Sequence, residues 1–222
     1  MDWYRNTDWN SDIESKFFSR LAKSKSQRDQ YLSIQIVELA QIHPRVAKEL
    51  SAFYFESRAD GLNDRRVFAA LAEASLALNN CDDALHYYLQ DMKFEQAHPG
   101  FIGVTRFRFP LLVALMRRRS SYKDVLDVWE KFDHTSPFPL YQFEHAASRS
   151  LILYDLGEKA NALLHAEKAL RAYEGMRPGD AVYFQGSHYE CSDLEIRNKI
   201  EKTLTRRLGV FGHMAWRFGL RD

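Results

Sequence analysis

Four times along this chain an apolar-periodic segment is followed by a short turn and a second periodic segment with a small side chain in its first turn. Those small residues are Ala47, Ala84, Val125 and Ala162, spaced 37, 41 and 37 positions apart. A helix pair of that length cannot bury its apolar face alone and must stack on a neighbouring pair. The spacing therefore predicts an all-α chain built from repeated helix-turn-helix units. With 222 residues, 45% of them hydrophobic, it can supply the core that such stacking needs.

The second unit is the clearest and runs from about Asp64 to Ala97. Leu71, Ser75 and Leu76 share one face of its first helix, and Ala72 is a small packing residue. Asn79-Asn80 ends that helix, because Asn tolerates a left-handed cap. Asp82 and Asp83 then fall in the first turn of the next helix, where the dipole favours negative charge. Ala84 is followed four residues later by Tyr88; in the third unit Val125 and Trp129 take the same two places, and Pro137 follows. The fourth unit turns at Gly157 and lines one side with Ala162, Ala166 and Ala169, with Leu170 beside them. The first unit turns at His43-Pro44, and Pro44 can begin a helix but not continue one.

These units resemble tetratricopeptide repeats, whose period is about 34 residues and whose second helix carries an A-x3-F element. The resemblance covers residues 27–175. It implies a right-handed α-solenoid of about four repeats, ten or eleven helices in all, with a capping helix at each end. Two positions depart from the family pattern: Gln35 stands where a small residue is usual, and Arg149 where an apolar one is.

Outside the repeats, residues 1–26 hold an aromatic segment with Trp3, Tyr4 and Trp9, and an amphipathic helix over Ser11–Lys23 that Asn10 or Ser11 can cap. The aromatic segment is expected to pack under that helix. Residues 176–222 comprise a Gly-, Pro- and Tyr-containing loop, a helix over Ser192–Leu208 with a Ser192/Glu195 capping box, and an aromatic tail. A solenoid exposes an apolar face at each end unless it is capped. The tail, with Phe211, Met214, Trp216 and Phe218, is expected to pack on the last repeat, with a partner-binding or homodimer-forming arm as the rival.

No phosphate loop, zinc-protease pair, C-x2-C pair or nucleophile elbow is present, so no catalytic residue, metal ligand or cofactor is assigned. His188, Glu190, Cys191 and Asp193 offer ligand types, but they read as a polar loop that caps a helix. Lys+Arg is 31 and Asp+Glu is 30, a net charge of +1 that disfavours nucleic acid and anionic membranes as partners. Two cysteines far apart, Cys81 and Cys191, fit a reducing compartment. The N-terminus lacks a signal peptide's basic start and apolar stretch, and the expected location is the cytoplasm.

The resemblance places the first helix of each unit on a concave face. Matched to the family, Leu32, Ile36, Ala69, Ala114 and Ala147 point into it. So do Arg66, Glu73, Phe107, Leu111, Arg117, Glu144 and Ser148, the candidate partner-binding residues. Such a mixed surface suits a peptide or a helix better than a polyanion. The expected function is non-catalytic binding of a protein or peptide partner. The alternatives are a bacterial immunity or antitoxin protein that blocks a toxin, and an RNA-binding helical-repeat protein. The register itself is testable. Ala84→Trp should lower stability by about 1–3 kcal/mol or more by overpacking a close helix contact, and a thermal melt that matches the wild type would show the register to be wrong.

Overall fold

The computed structural model describes residues 2–98, 100, 103–132 and 135–175. Among them nine α-helices and one 3₁₀ turn occur, and no strand. The helices are α1 (Ser11–Leu21), α2 (Arg28–Leu39), α3 (Pro44–Ser57), α4 (Asp64–Ala77), α5 (Cys81–Ala97), α6 (Thr105–Leu115), α7 (Tyr122–Lys131), α8 (Pro139–Asp155) and α9 (Lys159–Glu174). The chain divides into two compact units, Met1–Thr105 and Arg106–Asp222. The helix expected at Ser192–Leu208, the His188–Asp193 group and the aromatic tail lie outside the described residues.

In the first unit α2 packs on α3 and α4 on α5; α4 also touches both α2 and α3. In the second unit α8 and α9 form the most extensive pair. The four small residues Ala47, Ala84, Val125 and Ala162 are each fully buried, as their recurrence requires.

One turn is used three times. After α4 the chain passes through Asn79 at φ 58°, after α6 through Arg117 at φ 51°, and after α8 through Gly157 at φ 91°. Each carries the same two backbone bonds. Asn79 N donates to Leu76 O and Asn80 N to Ser75 O; Arg117 N to Ala114 O and Arg118 N to Val113 O; Gly157 N to Tyr154 O and Glu158 N to Leu153 O. This is the Schellman termination, which satisfies orphan helix carbonyls and reverses the chain. Asn80 then caps α5, its side chain accepting from Asp83 N at 3.1 Å. Ala84 and Ala162 each follow their left-handed residue by five positions, and Val125 by eight. The difference is the three-residue 3₁₀ turn Arg119–Ser121 inserted before α7, which supplies most of the widening of the sequence spacing from 37 to 41.

The first pair turns differently. His43 N donates to Leu39 O, and Pro44 opens α3 at a position whose missing N–H has no helical partner to lose. The N-terminal segment then covers this pair. Trp3 packs against Phe17 and Tyr31, Tyr4 stacks on Tyr31 at 4.4 Å, and Trp9 meets Phe17 edge-on. Asn10 is the residue that caps α1, accepting from Asp12 N and Ile13 N.

Gln35 explains its own departure from the small residue of the resemblance. It is fully buried, and its amide reads Asn6 in both directions: Oε1 accepts from Asn6 N and Nδ2, and Nε2 donates to Asn6 O at 2.7 Å. A buried amide is tolerated because its bonds are made, and here they pin the N-terminal segment to α2. Arg5 adds an ion pair to Glu38 at 2.6 Å.

The shared turn yields a clean test. A Cβ at Gly157 would meet nothing within 4 Å, so Gly157→Ala changes backbone strain and little else. It should cost about 1 kcal/mol, read as a lower urea midpoint with an unchanged slope.

Candidate functional site

Arg66 and Glu73 stand two turns apart on α4 and so share one face. The Arg66 Nη1 donates to Ser33 Oγ on α2 at 3.0 Å and to Asn63 Oδ1 at 3.3 Å. Both acceptors are neutral. Burial pushes the guanidinium below its ordinary value, and the charges of Arg65 and Arg5 push it further the same way. Glu73 is engaged on both oxygens, by Tyr88 Oη at 2.9 Å and Gln41 Nε2 at 3.2 Å. The tyrosine of the repeat element on α5 thus holds the acid of α4.

In the second unit, Phe107, Leu111, Glu144 and Ser148 are buried. Phe107 stacks on Tyr141 at 5.1 Å, Glu144 lies 4.0 Å from Arg108, and Ser148 Oγ donates back to His145 O. Those side chains spend their surface on contacts inside the unit. Leu32, Ile36, Ala114 and Ala147 are also fully buried. In the first unit the cause is visible: the N-terminal aromatics and α1 pack onto the core that holds Leu32 and Ile36.

Arg117 does not extend α6, which ends at Leu115. It is the left-handed residue of the following turn, and its guanidinium forks onto Asp155, with Nε to Oδ2 at 3.2 Å and Nη2 to Oδ1 at 2.9 Å. Asp155 is the last residue of α8, where the helix dipole disfavours a negative charge. Arg117 and the Tyr122 hydroxyl, at 2.7 Å, offset that.

Two arrangements had no signal in the sequence pattern beyond the residues themselves. The first is Asp91 on α5, fully buried, accepting from the Thr105 hydroxyl on one oxygen and without a partner on the other. Arg65 approaches the same corner, and a Cβ at Gly103 would collide with its guanidinium. The second is a stack in the second unit: the Arg149 guanidinium lies over the Trp129 ring at 4.8 Å, and His145 meets the same ring edge-on at 6.3 Å. Arg149 was visible as an arginine in an apolar position; that it would lie on Trp129 was not.

Among the described residues no group of three or more His, Cys, Asp or Glu could hold a metal, and no helix is long and apolar enough to cross a membrane. No protein-family model matches the chain, and comparison with curated proteins and with solved structures returns no match.

Burial raises the Asp91 carboxyl to about 6, against the opposing pull of Thr105 and Arg65. The folded state therefore holds this proton more tightly than the unfolded chain. Stability falls as pH rises from the ordinary aspartate range through about 6, and the deficit persists above it. Asp91→Asn should raise stability at pH 7.5 by about 1–3 kcal/mol, with the gain shrinking toward pH 4, measured by urea unfolding across that range.

Proposed function

We propose that the chain is a non-catalytic interaction module of tetratricopeptide-like repeats that holds a peptide or protein partner on the first helices of its pairs. The three matching Schellman turns and the four buried small residues support the repeat reading. The solenoid of four such units, capped at its ends, belongs to the same proposal.

One observation carries the binding role. Arg66 sits half-buried on a first helix, and among the described residues it bonds to a hydroxyl and an amide and meets no carboxylate. A desolvated guanidinium costs stability unless a counter-charge meets it. A carboxylate arriving with a partner would form a charge-assisted bond there, stronger than one at an exposed rim. Arginine in a partly desolvated setting is also the residue type on which binding energy concentrates.

The test is affinity purification of the chain from its own source, identification of bound proteins, and calorimetry with the recovered partner. Arg66→Gln should weaken binding by about 1–3 kcal/mol without lowering the melting temperature, while Arg119→Gln on the exposed turn should change neither. An Arg66 variant that binds as well as the wild type would remove this face as the site.

A further inference from the structure

We propose that the Arg149–Trp129 stack of the second unit is a receptor for a carboxylate carried by an acidic protein segment. It rests on residues of α7, α8 and α9, all within the second unit.

Two hydrogen-bond donors are left over in this stack. Arg149 Nε and Trp129 Nε1 are both buried, and among the described residues neither has an acceptor. Buried donors of this kind are normally matched, and one left unmatched calls for an explanation. Here two belong to side chains in direct contact. Among the described residues Arg149 meets no carboxylate, and burial is the cause that pushes its guanidinium down. The neighbouring α9 brings more positive potential. His165 is held below the ordinary imidazole range, first by burial and then by the charges of Arg149 and Lys168. Among the described residues the causes named for His165 are burial and these two positive charges.

The missing piece is an acceptor with negative charge. A carboxylate can accept from the guanidinium and neutralise Arg149, and guanidinium geometry suits it. A nucleic acid fits poorly. The guanidinium lies over one face of the Trp129 ring and His145 abuts its edge, so the ring is not an open platform for stacking a base. The chain's net charge of +1 also supplies no wider basic track for a phosphate backbone. An arginine in a position that the tetratricopeptide resemblance fills with an apolar residue is what such a receptor requires.

The probe is an acetylated, amidated triglutamate peptide, titrated into the full chain and followed by the ¹⁵N–¹H resonances of Trp129 Nε1 and Arg149 Nε. Both should shift together and saturate, the triglutamine counterpart should move neither, and the His165 pKa should rise as the added negative charge favours its protonated form. Arg149→Leu restores an apolar side chain at this position and should abolish the response. Trp129→Phe keeps the ring, removes the indole donor and should weaken binding at least fivefold, so a poorly folded leucine variant would not stall the test. The proposal is overturned if the peptide gives no saturable shift, if Arg149→Leu binds it as the wild type does, or if inorganic phosphate binds more tightly than the peptide. Such a result, with Arg66→Gln still weakening partner binding, would remove this site and leave the reading of the first unit standing.

Discussion

Three of the helix pairs depend on how their first helix is stopped. A residue forced into the left-handed region turns the chain back within two positions, and the second helix starts almost at once. Asn79, Arg117 and Gly157 do this with one hydrogen-bond pattern and three different side chains. Glycine adopts that conformation freely, asparagine with little cost, and arginine against strain. Arg117 is held there while its side chain neutralises Asp155 at the end of α8, so the residue that bears the strain also ties its turn to the next one. The reversal sets where α5 and α9 can lie, and the small side chains Ala84 and Ala162 fall at the crossing.

Polar groups inside the units divide into two kinds. Gln35 is buried and makes its bonds to Asn6, so it acts as a clasp on the N-terminal segment. Glu73 is similarly held by Tyr88 and Gln41. Arg66 and Arg149 lose solvent without meeting a negative charge. Folding alone does not account for the second kind, because an apolar side chain of similar size would stabilise the fold as well or better.

Much of the fold was legible because it rests on local rules. Helix periodicity, the Asn79-Asn80 stop, the Pro44 start, the Gly157 turn and the Asn10 cap each depend on a few neighbouring residues. The turn at Arg117 was not legible, since nothing marks arginine as a left-handed residue; the expected helix ran through it. The candidate site was legible only in part. Matching to the repeat pattern put Leu32, Ile36 and Ser148 on an open face, yet all three are buried. Facing direction depends on what else packs there, and the N-terminal aromatics that pack around Leu32 and Ile36 are no part of the repeat pattern. Arg66 sits in the first turn of α4 and bonds to Ser33 of α2, so its placement depends on both local register and pair packing.

Charge balance gives the last constraint. With 31 basic and 30 acidic residues, the chain has enough acids to neutralise its arginines. It uses them selectively: Arg5 has Glu38, Arg58 has Asp64, and Arg117 has Asp155. Arg66 and Arg149 have guanidinium groups that burial pushes down. An exposed cation is screened by water and ions within about 8–10 Å and needs no fixed partner. A half-buried one keeps most of its field. Arg66 and Arg149 are half-buried cations of this kind, so their charge reaches further than that of an exposed arginine. The proposed partner is acidic for this reason: neutral residues at the same contacts would leave both charges desolvated and unmatched.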